Sequence, residues 1–157
     1  MAKTIVLGVG NLLLKDEGVG IHAIRALRGR GLPPGVELID GGTAGFDLLP
    51  LLMGADRIII VDALRGGEPP GAVYRLTPAD CLPQQGREAG PISLHDLGIL
   101  DVIRALEVLE QRTPEVVIIG VEPGEIDWGL ELTPAVAASL PAVLEQIELE
   151  LKNENGG

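Results

Sequence analysis

Three side chains of this sequence, Glu17, Asp62 and His95, could together bind a divalent metal ion. Glu17 follows a glycine-rich turn, Asp62 ends an apolar run, and His95 stands shortly before an amphipathic segment. They offer two carboxylates and one imidazole, a mixture that suits nickel or zinc better than calcium or magnesium. Two carboxylates about 4 Å apart repel by roughly 4 kcal/mol at an effective dielectric constant near 20, so a close pair holds a cation, shares a proton or separates. Because the three residues are far apart in the sequence, folding must bring them together.

Two further acids, Asp16 and Asp40, occupy similar turns. Together with Asp62 they form the predicted catalytic set, since a carboxylate can take the proton of an attacking water. Each also has a structural interpretation: Asp16 could cap the helix that follows it, and Asp40 or Asp62 could accept amide hydrogen bonds in a turn. We interpret His22 and Cys81 as structural residues.

The elements that must position these residues alternate between strand and helix, which is typical of an α/β domain. Strands are predicted at 3–7, 36–39, 57–61, 72–76 and 115–121, and helices at 18–28, 44–53, 96–111 and from 134 onward. The fourth strand is expected to be an antiparallel edge strand. Loops at the carboxyl ends of parallel strands gather on one side of the sheet, so the acids that follow the strands can meet there. We predict a single domain over residues 1–157, with a twisted, mostly parallel sheet of about five strands, helices on both faces and a frayed tail at 152–157.

The composition excludes several classes of partner. The chain has 157 residues, and 12 Lys and Arg against 23 Asp and Glu give a net charge of −11. This charge disfavours nucleic acid and anionic membranes. A single cysteine cannot form an internal disulfide, and no apolar stretch reaches the roughly 20 residues that span a bilayer. With no signal-peptide pattern, these features predict a cytoplasmic protein.

The glycine turn after the first strand invites comparison with nucleotide-binding loops. In Gly8-Val9-Gly10-Asn11-Leu12-Leu13 a leucine stands where the dinucleotide fingerprint needs its third glycine. The Gly-Lys-Ser/Thr ending of a P-loop is absent from the sequence. A small-molecule or nucleotide-binding module is therefore a less favoured alternative.

Five sequence blocks resemble, in order, the signatures of the nickel-iron hydrogenase maturation endopeptidases. They are Gly8-Val9-Gly10-Asn11-Leu12-Leu13-Leu14-Lys15-Asp16-Glu17-Gly18-Val19-Gly20, Asp40-Gly41-Gly42-Thr43-Ala44-Gly45, Val61-Asp62-Ala63, Ser93-Leu94-His95-Asp96-Leu97-Gly98 and Gly120-Val121-Glu122-Pro123. The resemblance runs from about residue 3 to residue 151. Five blocks in the right order within one small domain make it specific.

The resemblance implies a function and a set of roles. Such proteins remove a short C-terminal extension from the precursor of the hydrogenase large subunit after nickel insertion. Glu17, Asp62 and His95 fall where the family has its metal-contacting residues, and Asp40 where it has an acid implicated in recognising or cleaving the precursor. Nickel is understood to come with the substrate, so no tightly bound cofactor is expected, although cadmium or zinc could substitute in vitro. We expect a monomer whose partner is this precursor. The alternative is a maturation chaperone that senses nickel without cutting.

Overall fold

The computed structural model describes residues 2–81 and 98–153, which form an α/β domain around one five-stranded sheet. The strands are β1 (Thr4–Val9), β2 (Val36–Gly42), β3 (Arg57–Ala63), β4 (Val73–Leu76) and β5 (Glu115–Val121). Their order is β2-β1-β3-β5-β4. All neighbouring pairs are parallel except β4 and β5, which are antiparallel. The predicted fold class and the antiparallel edge strand are both confirmed.

In residues 2–81 and 98–153, five α-helical segments and two 3₁₀ turns flank the strands. They are η1 (Lys15–Gly18), α1 (Val19–Leu27), η2 (Gly45–Leu48), α2 (Leu49–Leu52), α3 (Pro78–Cys81), α4 (Ile99–Glu110) and α5 (Pro134–Asn153). The helix predicted at 44–53 is instead a 3₁₀ turn followed by a single α-helical turn, and it ends where Met53 becomes extended. The predicted start of the helix at 96–111 lies outside the described residues.

The core lies on both faces of the sheet because the side chains of β3 alternate between them. Ile58 and Ile60 pack on the face covered by α2 and α4, whereas Ile59 and Val61 pack on the face covered by α1 and α5. Every residue of β3 is buried. The uninterrupted apolar run of this strand therefore reflects its central position, as expected for a parallel sheet covered on both sides.

A buried ion cluster fixes α5 at the amino-terminal end of the parallel strands. Glu150 and Arg57 are only 2% and 4% exposed, and Arg57 Nη2 lies 2.5 Å from Glu150 Oε2. Arg57 also donates to the Glu150 carbonyl, and Arg75 of β4 donates to the same carboxylate. Burial raises the pKa of Glu150, but hydrogen bonds from Arg75 and Arg57 outweigh it and leave the pKa below its usual value.

Gly8 of β1 and Gly20 of α1 allow the first helix to pack closely on the sheet. A Cβ atom on Gly8 would collide with the Gly20 carbonyl, and one on Gly20 would collide with the carbonyl of Val61. Helix α1 therefore rests directly on the backbones of β1 and β3, which sets the position of the turn that precedes it. Among the described residues, no helix is long and apolar enough to cross a membrane.

Candidate active site

A cavity of about 300 Å³ opens at the carboxyl ends of the parallel strands. Its lining comes from β1, β2 and β3, from the segment after β5 and from the start of α4. The lining residues are Val9, Gly10, Glu17, Gly42, Thr43, Gly45, Leu48, Asp62, Ala63, Arg65, Gly98, Ile99, Pro123 and Ile126. The structure therefore brings Glu17 and Asp62, two of the three predicted metal ligands, to one opening.

Gly10 lets the Glu17 segment and Asp62 approach each other. Its φ of +129° lies in a region that side-chain-bearing residues rarely adopt. A Cβ atom here would collide with the Glu17 carbonyl and would lie 3.5 Å from Asp62 Oδ1. The position must therefore be glycine for both acids to reach the cavity.

Asp62 is the penultimate residue of the central strand and is buried. Its side chain is only 7% exposed, and Oδ1 accepts a hydrogen bond of 2.8 Å from the backbone N–H of Ala63. The strand continues two residues beyond its predicted end, so Asp62 belongs to the rigid sheet rather than to a loop. This rigidity favours a ligand or catalytic group whose position is fixed before substrate arrives.

His95 lies outside the described residues. The chain re-enters the described structure at Gly98, which lines the cavity. Within residues 2–81 and 98–153, no three His, Cys, Asp or Glu side chains are placed to hold a metal ion. The structure places Glu17 and Asp62 at one cavity. The complete set of Glu17, Asp62 and His95 stays a prediction.

Asp40 is exposed and stands beside the cavity rather than in its lining. It pairs with Gly8 across the β1 and β2 ladder. Its Oδ1 lies 4.0 Å from the point where a Cβ atom added to Gly42 would stand. Gly42 itself lines the cavity. Asp40 can therefore reach a substrate at the rim, and its catalytic role stays a prediction.

Asp16 has a different environment from the other predicted acids. It is fully buried, and it does not cap the following helix as one interpretation expected. Its Oδ2 accepts hydrogen bonds from the N–H groups of Gly124 and Glu125 at 2.8 and 2.9 Å and from the Thr133 hydroxyl at 2.7 Å. Its Oδ1 accepts the Thr133 N–H at 2.8 Å. Burial raises the pKa of Asp16, but these bonds outweigh it and leave the pKa below its usual value.

The position of Asp16 indicates that it holds the site together. It joins the turn that carries Glu17 to the loop at 122–133, which contributes Pro123 and Ile126 to the cavity. Asp16 itself does not line the cavity, and its carboxylate already has four donors. We therefore infer that Asp16 is a positioning residue rather than a proton acceptor.

Sequence reasoning missed Arg65, a cation in the cavity lining. Arg65 stands two residues after the end of β3. Its place just beyond the carboxyl end of a central strand could have marked it as a candidate site residue. Glu122 holds the turn after Arg65 by accepting hydrogen bonds from Gly66 N–H at 2.7 Å, Glu68 N–H at 3.1 Å and the Tyr74 hydroxyl at 2.6 Å. Burial first, and then the Glu122 carboxylate, raise the pKa of Tyr74 to about 12.

His22 and Cys81 lie away from the cavity lining, as their structural interpretation predicts. Burial lowers the pKa of His22, and its Nε2 is buried without a hydrogen-bond partner. Cys81 is 5% exposed and packs in the core on the α4 face, where burial raises the pKa of its thiol.

Comparison with known proteins identifies the family of the chain. A profile described as hydrogenase maturation protease (HycI) matches residues 21–150. The hydrogenase 2 maturation protease of Escherichia coli K12 is 36% identical over 152 residues, which cover 96% of this chain and 91% of that protein. The hydrogenase expression/formation protein HupD of Rhodobacter capsulatus is also 36% identical, with 96% of this chain and 71% of that protein covered.

Solved structures agree with the sequence relatives. The hydrogenase maturating endopeptidase HybD from E. coli superimposes with a TM-score of 0.82 at 36% identity, and the match covers 97% of this chain and 93% of that one. The maturation protease HybD from Thermococcus kodakarensis gives 0.79 at 30% identity over 95% and 99% of the two chains. These matches support the protease prediction over the non-cleaving chaperone and the nucleotide-binding module. The chain therefore belongs to the hydrogenase maturation protease family and is an endopeptidase.

Proposed function

We propose that this endopeptidase removes the C-terminal extension of the nickel-iron hydrogenase large-subunit precursor after nickel insertion, acting as a monomer in the cytoplasm. Nickel is part of the substrate in this proposal, and the protease has no resident metal of its own. Glu17, Asp62 and His95 would contact the nickel of the bound precursor. Family membership and the resemblance of the five sequence blocks support the substrate class.

The observation that carries the proposal is the convergence of Glu17 and Asp62 on one cavity at the end of the sheet. Two acids at one opening attract a cation more strongly than either acid would alone, whereas the positive charge of Arg65 in the same lining works against cation binding. Coordination of a precursor-bound ion would hold the adjacent peptide bond against the rim. The presence of nickel would thereby decide whether the precursor is cut.

Hydrolysis at this rim needs one water and one proton acceptor. The water oxygen attacks the scissile carbonyl carbon, the C–N bond breaks, and the water proton passes through a carboxylate to the departing amine. Asp40 has the exposed position beside the cavity that such a carboxylate requires. Either the ion polarises the carbonyl or lowers the pKa of the water, or it only docks the substrate while the acids activate the water. The two routes differ in whether Asp62 is needed for docking alone or also for proton transfer.

The direct experiment is cleavage of a purified precursor, with and without nickel, followed by mass spectrometry of the intact product. We expect a shortened large subunit only in the nickel-loaded sample. Asp62→Asn and His95→Ala should fold but fail to shorten the nickel-loaded precursor. Asp101→Asn, which changes an exposed acid on α4, is the matched control and should cut normally.

Two outcomes would contradict the proposal. Equal shortening of the nickel-free precursor would remove nickel as the condition for cutting. Normal processing by both Asp62→Asn and His95→Ala would remove the assigned ligands. Circular dichroism of each variant before the assay establishes that a loss of cleavage is not a loss of folding.

The absence of a resident metal is tested separately. The purified protease, dialysed without chelator, should contain far less than one equivalent of nickel or zinc when its metal content is measured by mass spectrometry. A stoichiometric metal that survives dialysis and is required for cleavage would contradict this part of the proposal.

A further inference from the structure

The chain keeps its few aromatic side chains largely outside the core. It contains one Trp, one Tyr and one Phe, and the described core is aliphatic. Trp128 is 74% exposed and Phe46 is 60% exposed. Large aromatic side chains lose hydrophobic stabilisation when they are left in water. The exposure of two of the three aromatic residues of this chain therefore suggests a binding role.

Both aromatics stand on segments that line the cavity. Phe46 lies within η2, between the lining residues Gly45 and Leu48. Trp128 lies two residues after the lining residue Ile126. The two side chains therefore belong to the surroundings of the candidate active site rather than to unrelated parts of the surface.

Trp128 is part of an apolar patch built on two hydrogen-bonded segments. The Gly129 N–H donates to the Leu13 carbonyl at 2.9 Å, and the Lys15 N–H donates to the Gly129 carbonyl at 2.9 Å. Leu13 and Leu130 are 52% and 60% exposed. We call Leu13, Trp128 and Leu130 the Trp128 patch. Leu13 stands two residues before the 3₁₀ turn that carries Glu17, so the patch and the cavity lining draw on neighbouring stretches of the chain.

Acidic side chains surround this patch. Glu125, Asp127 and Glu131 are all exposed on the same loop. Lys15 pairs with Glu125 at 3.1 Å, which leaves the loop with an excess of negative charge. An apolar centre with a charged rim is the usual anatomy of a protein interface, and aromatic residues at its centre dominate the binding energy.

We propose that the Trp128 patch is the docking surface for the folded body of the protein substrate, outside the segment that is cut. The occupant has an apolar surface flanked by Lys or Arg, since it must match the aromatic centre and the acidic rim. This inference rests on the proposed function, because a protease that cuts a protein needs that protein beside its cavity. The loop at 122–133 would then contact both the docked body and the scissile segment in the cavity. Asp16 holds this loop against the Glu17 turn.

The test compares two double variants on wild-type precursor. Trp128→Ala with Leu130→Ala removes the centre of the patch, and Val108→Ala with Leu109→Ala removes equally exposed apolar groups from α4. Val108 and Leu109 are 77% and 61% exposed, which matches Trp128 and Leu130 closely. We expect the KM for the precursor to rise at least tenfold in the first variant, with kcat changed less than twofold. The α4 variant should leave both constants unchanged.

A second readout reports contact directly. Because the chain has one tryptophan, labelling it with 5-fluorotryptophan gives a single fluorine resonance, which should shift on adding unlabelled precursor. A synthetic peptide with the sequence of the extension should leave the resonance unchanged, since it lacks the folded body.

The failures of the two proposals are distinguishable. If the wild-type protein does not shorten the precursor, the proposed function is wrong. If the wild type cuts but the patch variant has an unchanged KM and the fluorine resonance does not move, only the docking surface is wrong. A resonance that shifts with the concentration of the protease alone would assign the patch to self-association and overturn the inference.

Discussion

Removal of the Asp16 carboxylate should destabilise the fold far more than removal of any exposed acid. In Asp16→Ala, three backbone N–H groups and the Thr133 hydroxyl lose their acceptor in a buried position. A buried donor left unsatisfied costs about 1–3 kcal/mol, and water entering the vacated space recovers part of this. We expect the free energy of unfolding to fall by about 4 kcal/mol, which is in the range of a broken buried network.

Asp16→Asn refines this prediction. An amide oxygen at the Oδ2 position can keep three of the four bonds, while the amide nitrogen faces the Thr133 N–H as a second donor. The loss should therefore be about half as large, roughly 2 kcal/mol. The order of stability is then wild type, Asn, Ala.

Urea denaturation followed by far-ultraviolet circular dichroism measures these differences. Asp101→Ala is the control for loss of an exposed acid and should lie within about 0.5 kcal/mol of the wild type. Precursor cleavage by Asp16→Ala should fall at least tenfold at temperatures where it is folded, because the Glu17 turn loses its tie to the 122–133 loop. An Asp16→Ala protein as stable as the control would refute the structural reasoning.

Further predictions concern the ion cluster, the tyrosine and the tight glycine. Glu150→Gln should cost about 3 kcal/mol, as for a broken buried ion pair, and Glu145→Gln on the exposed side of the same helix should cost little. Folding lowers the pKa of Glu150, so its ionised carboxylate stabilises the fold fully at pH values above the pKa of about 4.5 that it has in the unfolded chain. This stabilisation is lost as the pH falls below that value. Glu150→Gln should therefore make the free energy of unfolding less dependent on pH in acid. Absorbance at 295 nm should show the single tyrosine, Tyr74, titrating near 12 in the native protein and near 10 in urea; an inflection near 10 in both would contradict its bond to Glu122. Gly10→Ala should abolish cleavage through its collision with the Glu17 carbonyl, and full activity in this variant would show that the described turn is wrong.

The sheet was predictable because each strand carries its own signal. The run at 115–121 is bounded by polar residues on one side and a Glu-Pro pair on the other, and its observed limits equal the predicted ones. β1, β2 and β3 extend two or three residues beyond their predicted ends. Those extra residues include glycine and aspartate, which have low strand propensity and join the ladder only because neighbouring strands provide partners.

The role of Asp16 could not be predicted from the sequence. Local capping preference points to the helix that begins three residues later, whereas its actual partners, Gly124, Glu125 and Thr133, are more than 100 residues away. Such a pairing depends on how the loop after β5 folds back across the sheet, and no periodic pattern encodes it. Both residues are acids, so the sequence alone made Asp16 and Glu17 equally plausible as site residues. The structure distinguishes them, because Asp16 is fully buried whereas Glu17 lines the cavity.

We expect Glu17, Asp62 and His95 to bind one metal ion together. The chain has two histidines, His22 and His95, so nitrogen-15 labelling of histidine gives two distinguishable side-chain spectra, assigned with His22→Gln. Titration with cadmium, as a stand-in for substrate nickel, should shift the ring nitrogens of His95 alone, and Asp62→Asn should weaken the effect at least tenfold. If the His95 signals stay unchanged at saturating cadmium, or respond equally in Asp62→Asn, the three side chains do not share a metal site.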